Sequence, residues 1–215
     1  MWPNSLRLLE SASAPASEHL AADAALLSNV EADCSAAGLR IWELEQYVVI
    51  AGKSNDLTRE VDLAACAADG VPVLRRSSGG GTVVLGPGCL CFSLALPVPA
   101  EFGSHGISGV TAALMQKLAE AWADASRPVA VAGISDLTLA DRKFSGNSQR
   151  WKKSAFLHHG TVLYDFDLPR ITRYLRHPSR EPDYRRGRPH AEFVTNLPLS
   201  RHDLTTALKS SWNVS

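Results

Sequence analysis

The sequence predicts an α+β fold in which a mostly antiparallel sheet is flanked by helices. Short runs rich in β-branched and aromatic residues lie between amphipathic helical segments, which favours mixed architecture. In the middle of the chain several such runs follow one another at hairpin-like spacing, which is typical of antiparallel pairing and not of a doubly wound parallel sheet. No repeat or domain boundary is visible, so we expect a loose lead-in over residues 1–16 and a single domain over residues 17–215.

The first half of the chain alternates helix and strand signals. Ser17 is a suitable N-cap for a helix whose apolar positions recur at helical spacing until Gly38. The segment LRIWELEQYVVIAG, from Leu39, predicts one or two strands, and an alanine-rich helix is expected from Glu60 to Gly70. PVLRR and TVVLG then predict two further strands on either side of a glycine run.

The second half contains the hairpin-like strands. LCFSLALP alternates between leucine or phenylalanine on one face and small residues on the other, and an amphipathic helix is expected from Ile107 to Ala125. Four strands are predicted in PVAVAG, DLTLAD, RKFSGNSQR and AFLHHGTVLYDF. LPRITRYL predicts a helix, and a last helix begins near Asp203 after a loop rich in proline and arginine.

Composition excludes several classes of protein. The chain has 215 residues, 45% of them hydrophobic, which supports a real core, and its 22 basic and 22 acidic side chains give no general attraction to nucleic acid or anionic membrane. No apolar run approaches the roughly twenty residues of a membrane span, and the N-terminus lacks the apolar region of a secretory signal. The four cysteines form no CxxC pair, so we expect reduced thiols and a cytoplasmic location.

The segment RRSSGGGTVVLGPG, Arg75 to Gly88, is the most unusual part of the sequence. It lacks the lysine of a Walker loop, and its glycines lead into a strand and not into the helix of a dinucleotide fingerprint. A strand–loop–strand whose bare amides approach an anionic ligand fits better, because Arg75 and Arg76 would supply charge for a phosphate or carboxylate. A β-bulge or hairpin turn without a ligand remains the alternative.

A second candidate region runs from Asp136 to Thr161. Lys143 lies near the start of a predicted strand, where a lysine is usually a solvated charge. His158 and His159 are adjacent, so on a strand they face opposite sides, and structural roles are favoured over joint binding of one metal.

Taken together, these segments resemble the lipoate-protein ligase family, within the wider biotin and lipoate ligase fold. The RRSSGGG run, DRKFSG at Asp141 and HHGT at His158 match the family's RRxSGGG, R/D-x-K-x-S-G and HHGT motifs in the same order. EVD at Glu60 and FVTNL at Phe193 resemble two further family segments, so the resemblance extends over most of the chain. It implies a class II biotin/lipoate-ligase-like catalytic domain.

The resemblance also implies an activity and its ligands. The family joins lipoate to ATP, forming lipoyl-adenylate, and transfers the acyl group to a lysine of a lipoyl carrier domain. By this match Lys143 is the catalytic residue, placed against the adenylate phosphate and the acyl carbonyl, and Asp136 holds the nucleotide or a Mg²⁺ ion. The remaining expected substrate- and nucleotide-binding residues are Arg75, Arg76, Ser78, Gly79, Gly80, Gly81, Ser145, Gly146, His159 and Gly160.

The chain departs from the family pattern at three points. Ser135 stands where the family has asparagine, which alters the expected nucleotide contacts. The segment after the glycines reads TVVLGPGC and lacks the histidine, aspartate and asparagine found there in typical ligases. Because the sequence ends at Ser215, we expect no C-terminal accessory domain, which leaves room for a separate small accessory subunit.

Two rival functions stay open at this point. An octanoyl- or lipoyl-transferase of the same fold would take the acyl group from an acyl carrier through a cysteine thioester, without ATP. Cys89 and Cys91 are the nearest cysteines to the glycine run, but they lie among small residues, which more often indicates tight packing. A non-catalytic lipoyl-binding homologue is the second rival. Biotin ligation is disfavoured, because its glycine loop reads GRGRxGR.

An arginine cluster precedes the last helix. One interpretation is a solvated loop without a function of its own. The other is a loop that docks an acidic carrier domain or closes over the nucleotide. We expect no nucleic-acid partner and no membrane association. The cluster comprises Arg170, Arg173, Arg176, Arg180, Arg185, Arg186 and Arg188.

Overall fold

The structure, a computed structural model, describes residues 2–11, 13–99 and 106–214. Across these ranges no helix combines the length and the apolar character needed to cross a bilayer. The strands are β1 (Arg7–Glu10), β2 (Gly38–Trp42), β3 (Val48–Ala51), β4 (Val73–Arg75), β5 (Val83–Leu85), β6 (Cys89–Pro97), β7 (Val129–Ala132), β8 (Asp136–Leu139), β9 (Arg142–Trp151) and β10 (Ala155–Leu163). The α-helices are α1 (Ala16–Ala32), α2 (Leu57–Glu60), α3 (Leu63–Ala68), α4 (Gly106–Trp122), α5 (Pro169–Tyr174), α6 (His190–Phe193) and α7 (Arg201–Ser211).

The strands form two sheets. The larger has seven strands in the order β1-β2-β6-β10-β9-β8-β7, and every pair in it is antiparallel except β1 with β2. This confirms the predicted α+β class and its mostly antiparallel sheet. The smaller sheet has the order β4-β3-β5, with β4 parallel and β5 antiparallel to β3. The two strands that flank the glycine run therefore pair with β3 and not with each other.

Strand β6 is central because both of its faces are apolar. Leu90, Phe92 and Leu94 face a core that also contains the buried faces of α4 and α7, as the alternation of the sequence predicts. Cys91 packs on the opposite face with the small sheet, and Ala95 packs on that face against α1. Removing apolar surface from water on both sides of one strand is the main source of stability for this arrangement.

Helix α4 confirms the predicted amphipathic helix between the large-sheet strands. Val110, Leu114 and Leu118 recur at helical spacing and are fully buried. Trp122, near the end of the helix, donates an indole hydrogen bond to the carbonyl of Leu204 at 3.2 Å, which links α4 to α7. The two helices thus form one layer over the large sheet.

Three expectations about local structure are wrong. The lead-in contains β1, which adds a parallel edge strand to the large sheet, so residues 1–16 are not uniformly loose. Helix α1 begins at Ala16, with Pro15 and not Ser17 at the N-cap. The helix expected from Glu60 begins only at Leu63, because α2 ends at Glu60 and the Asp62 carboxylate accepts a hydrogen bond from the amide of Ala65 at the start of α3.

Candidate functional site

A cavity of about 510 Å³ is lined by residues from both sheets. One wall is polar and is built from the glycine loop of residues 76–81, the start of β9 and the turn before β8. The other wall is apolar, so the cavity suits a ligand with a charged end and a hydrocarbon tail. The apolar wall includes Ile50, Val84, Leu85, Leu163, Ile171 and Leu175.

Arg76 holds the glycine loop in shape. Its Nε donates to Ser78 Oγ at 3.0 Å, and its Nη2 donates to the carbonyls of Gly79 at 2.5 Å and Gly81 at 2.8 Å. Nη1 donates to the Ile50 carbonyl at 3.3 Å, which ties the loop to β3. Arg76 as a whole residue is 9% exposed, and burial lowers the pKa of its guanidinium to about 10. A buried cation that is bound to neutral carbonyls leaves positive potential in the cavity wall for an anion.

Arg75 does not line the cavity, so its contact with a bound anion stays a prediction without geometric support. Its Nη1 donates to three carbonyls on the loop after β3, those of Gly52 at 2.7 Å, Lys53 at 3.1 Å and Asn55 at 3.0 Å. Side chains alternate across a strand, and Arg75 closes β4 on the face away from the cavity. Its role in the structure is to hold the loop that supports the glycines.

The three glycines of the loop differ in backbone conformation and in the space available for a side chain. Gly80 has φ +84°, in the left-handed region, and a Cβ there would lie 3.0 Å from Arg76 Nη2. Gly79 and Gly81 have open space where a Cβ would be, and Gly80 and Gly81 line the cavity. Bare backbone at these positions lets a ligand approach the loop closely. The loop is also supported by Gly52, where a Cβ would meet the Gly80 carbonyl oxygen at 2.2 Å.

Lys143 and Asp136 lie side by side on the polar wall of the cavity. Lys143 Nζ is 2.7 Å from Asp136 Oδ1, and Tyr184 donates its hydroxyl to Asp136 Oδ2 at 2.7 Å. Burial, reinforced by the Asp136 carboxylate, raises the pKa of Tyr184, so the phenol stays protonated and donates. A Cβ on Gly146 would lie 2.8 Å from Lys143 Nζ, so this glycine gives the lysine room to cross β9.

Within the part of the chain that the structure describes, the acidic side chains do not form a protein-built magnesium site. Both oxygens of Asp136 are engaged, one by Lys143 and one by Tyr184. Among the described residues, no group of three or more histidine, cysteine, aspartate or glutamate side chains could hold a metal ion. A hard dication prefers several oxygen ligands. The assignment of Mg²⁺ to Asp136 therefore stays a prediction without geometric support.

His159 faces the cavity and links it to buried acid. Its Nε2 is 2.6 Å from Ser78 Oγ, and its Nδ1 is 3.7 Å from Asp23 Oδ2. Asp23 is itself buried, forms an ion pair with Arg40 and accepts the hydroxyl of Ser93 at 2.7 Å. Sequence reasoning missed Asp23, although an acid on the mostly apolar face of α1 was a readable signal.

His158 points to the other face of β10, as predicted for adjacent residues on a strand. It is fully buried, and burial, together with the neighbouring His159, lowers its pKa to about 3, so it is neutral. Gln149 Nε2 lies 3.1 Å from His158 Nδ1, which makes Nδ1 the acceptor and leaves the proton on Nε2. Gln149 is held in turn by the Thr111 hydroxyl at 2.8 Å and the Trp151 indole at 2.9 Å.

Asn147 uses this histidine to position the turn before β8. Its Oδ1 is 3.2 Å from His158 Nε2, while its Nδ2 donates to the Ser135 carbonyl at 3.0 Å and to Ser145 Oγ at 3.1 Å. Ser145 is 1% exposed and does not line the cavity, so its predicted contact with a ligand is replaced by this internal bond. A Cβ on Gly160 would lie 1.8 Å from Asn147 Oδ1, so that glycine makes room for the amide.

The thiols are poorly placed for nucleophilic chemistry. Cys89 and Cys91 are 1% and 2% exposed, and burial raises the pKa of Cys91 well above its ordinary value. Cys91 contributes to the cavity wall as an apolar residue, with its Sγ directed at the Cys89 carbonyl at 3.8 Å. Cys66 is buried and Cys34 is exposed, and neither lines the cavity. The structure therefore shows no activated thiol among the described residues.

The arginine cluster divides into two groups. Arg173 pairs with Asp69, and Arg185 is buried over the Phe193 ring at 4.6 Å, so these residues are structural. Arg176 and Arg180 are exposed and line the cavity mouth. The loop that carries Arg180 is anchored by Glu60, whose carboxylate accepts the hydroxyl of Ser179.

A mixed sheet flanked by helices carries an arginine-braced glycine loop and a lysine above an apolar wall, an arrangement suited to a ligand with an anionic head and a hydrocarbon tail. Residues 15–207 match the model of the lipoyl protein ligase A/B catalytic domain. The chain therefore belongs to this family, which confirms the resemblance seen in the sequence.

Curated relatives and solved structures agree with this assignment. The probable lipoate-protein ligases A of Mycoplasma genitalium and Mycoplasma pneumoniae are each 31% identical over 134 residues, which is 62% of this chain and 38% of the relative. The chain thus matches well under half the length of these curated relatives.

Three solved structures share the fold. A bi-partite lipoate protein ligase of Thermoplasma acidophilum, described with its E2 lipoyl domain, has a TM-score of 0.75 at 20% identity and covers 98% of this chain and 85% of its own. Plasmodium falciparum LipL1 in complex with lipoate has a TM-score of 0.77 at 22% identity, with coverage of 96% and 61%. A lipoate-protein ligase A bound with ATP has a TM-score of 0.75 at 22% identity, with coverage of 98% and 87%. The class II biotin/lipoate-ligase-like fold is thereby confirmed.

Proposed function

We propose that the protein activates lipoate with ATP to form lipoyl-adenylate and transfers the lipoyl group to a lysine of a carrier domain. The observation that carries this proposal is the cavity itself. Lys143, the Arg76-braced glycine loop and an apolar wall line one cavity of about 510 Å³. Relatives named as lipoate ligases, and neighbours described with lipoate and with ATP, support the same ligands.

The chemistry needs positive charge where two anions meet. A carboxylate that attacks an α-phosphate must overcome repulsion, and a preorganised cation reduces that cost without reorganising during the reaction. Arg76 and the amides of Gly80 and Gly81 would receive the phosphate, and Lys143 would stabilise charge on the phosphate and acyl carbonyl. Asp136 fixes the lysine beside the cavity through an ion pair at 2.7 Å. The acyl tail would lie along the apolar wall.

The ATP-independent transferase is less well supported. That reaction needs a thiolate, and the only thiol in the cavity wall of the described chain, Cys91, is fully buried with a raised pKa. A purely binding homologue would have no use for a lysine paired with a carboxylate at the polar end of the site.

We propose a lipoyl carrier domain as the acceptor of the acyl group, with a small accessory subunit as a candidate second component of the enzyme. The Thermoplasma acidophilum neighbour is described as bi-partite, so a lipoyl carrier domain as acceptor and a small accessory subunit are both included as variables of the test. Magnesium is added as the counterion of the nucleotide, with no protein ligand assigned to it. A cytoplasmic location stays a prediction from the sequence.

The decisive experiment measures adenylate and transfer separately. Wild-type protein with lipoate, ATP and magnesium should give lipoyl-adenylate by mass spectrometry, and Lys143→Ala should lower the rate about 10²–10³-fold. Lys153→Ala, at an exposed lysine outside the cavity, is the matched control and should behave as wild type. Cys91→Ala should keep most of the activity, because adenylate chemistry needs no thiol.

One outcome would show that the protein is a transferase and not a ligase. In that case lipoyl or octanoyl transfer from an acyl-carrier thioester would proceed without ATP and would be abolished in Cys91→Ala. Carrier domain is supplied in all reactions, with and without a candidate accessory protein, so that a missing subunit shows as adenylate formation without transfer.

A further inference from the structure

The outer edge of strand β7 is unprotected. This strand, Val129–Ala132, is the last of the large sheet and pairs only with β8 within the described chain. Ala130 and Val131 are exposed, Val131 by 36%. Strand β7 is short, with four residues, and its sequence VAVA carries no lysine, proline or bulge that would block pairing with another chain. An apolar edge with free backbone groups is a template for one more strand.

The turn after β7 brings this edge to the cavity mouth. Ile134 is 84% exposed, the highest value for any large apolar side chain described, and it lines the rim of the cavity. Gly133, with φ +58°, makes the turn possible, and a Cβ there would lie 3.4 Å from both Pro182 and Tyr184. The exposed isoleucine is therefore held on a packed turn beside Tyr184, which bonds Asp136.

The same rim carries uncompensated positive charge. Arg176 and Arg180 are exposed at the mouth, and neither side chain forms an ion pair with the described residues. The nearby acid, Glu181, is already engaged by Arg185 and His177 at 3.5 Å each. A partner that covers this rim is therefore favoured if its own surface is acidic.

We propose that the β7 edge, together with Ile134, is the docking surface for the lipoyl carrier domain, which adds an exposed strand to the large sheet and presents its acidic face to Arg176 and Arg180. This inference rests on the proposed function. Docking at this edge places the partner at the mouth of the cavity, where its lysine must enter. A second copy of this chain would bring arginine against arginine, which disfavours self-association through the same rim.

The test changes the edge without touching the cavity. Val131→Glu removes an apolar contact and repels an acidic partner, and Val131 does not line the cavity. Ile107→Glu is the matched control, because Ile107 is also an exposed apolar residue, at 56%, and lies at the start of α4. Three quantities are measured for each protein: lipoyl-adenylate formation, the KM for carrier domain in transfer, and the Kd for a carrier domain whose target lysine is replaced by methionine.

We expect Val131→Glu to raise the carrier KM and Kd at least about tenfold, with adenylate formation unchanged and Ile107→Glu equal to wild type. The wild-type Kd should also weaken with added salt, because part of the attraction is electrostatic. An unchanged Kd in Val131→Glu overturns the docking surface, as does a variant that loses self-association in sedimentation while its carrier binding is intact. If wild type binds the carrier but forms no adenylate, the proposed function fails and the docking surface stands.

Discussion

A methyl group on Gly160 provides the sharpest test of how the site is held together. In the structure a Cβ at this position would lie 1.8 Å from Asn147 Oδ1, 2.8 Å from Asn147 Cγ and 2.8 Å from Phe92 Cζ. No rotation of the new methyl can relieve these contacts, so in Gly160→Ala the amide of Asn147 must move. Its bonds to His158 and to the Ser135 carbonyl then break or lengthen.

The size of the effect follows from these contacts. Forcing one extra methyl into a packed interior costs about 1–3 kcal/mol. Leaving the buried Nε2–H of His158 without its acceptor adds about 1–3 kcal/mol. The unfolding free energy of Gly160→Ala should therefore fall by about 2 kcal/mol at the least, which for a chain of this size lowers Tm by about 4 °C or more.

The assay is thermal and denaturant unfolding of Gly160→Ala beside Gly81→Ala. The control adds the same methyl where the structure shows nothing within 4 Å of it, so its stability should match wild type. Asn147→Ala with Gly160→Ala should be less destabilised than the sum of the two single variants, because removal of the amide makes room for the methyl. A wild-type Tm in Gly160→Ala, or an equal fall in both glycine variants, would refute the reasoning.

Two further predictions concern charge. His158 has a pKa of about 3 in the folded protein and is neutral there, whereas in the unfolded chain it binds a proton near pH 6.5. Lowering the pH between these two values therefore favours the unfolded state, and the free energy of unfolding falls by about 1.4 kcal/mol per pH unit. His158→Gln should lack this part of the pH dependence in urea unfolding, and parallel profiles for the two proteins would contradict the assignment. Arg76→Lys cannot reproduce the guanidinium bonds to Ser78, Gly79 and Gly81, so we expect at least about tenfold weaker ATP binding by calorimetry, and unchanged affinity would remove Arg76 from the anion site.

The backbone conformation decides which glycine of the loop can be probed by substitution. Gly80→Val is attractive from the sequence, since valine would fill the space in front of a ligand. Gly80, however, has φ +84°, where a β-branched residue is strained, so loss of binding could not be separated from loss of fold. Gly81 lines the same cavity with open space at its Cβ, so Gly81→Ala is the cleaner probe of the loop.

The sequence by itself determined the elements with strong local patterns. The alternation in β6 and the helical spacing in α4 place apolar side chains on definite faces, and such periodicity depends only on backbone geometry. The opposite orientations of His158 and His159 follow from the same rule. The motifs around the glycine run, Lys143 and the two histidines were also sufficient to identify the family, because their order along the chain is specific.

Only the tertiary structure decided what several of these residues do. Arg75 and Arg76 are neighbours in sequence, yet one braces a loop away from the cavity and the other lies in its wall, because adjacent side chains leave a strand on opposite faces. Ser145 looks like a ligand contact in its motif, but it bonds Asn147, which sequence reasoning passed over, and Gly160 both lines the cavity and makes room for that amide. Asp23 reaches His159 from a helix far away along the chain. These roles depend on contacts between distant segments, and no local pattern records which buried polar groups will meet when the segments pack.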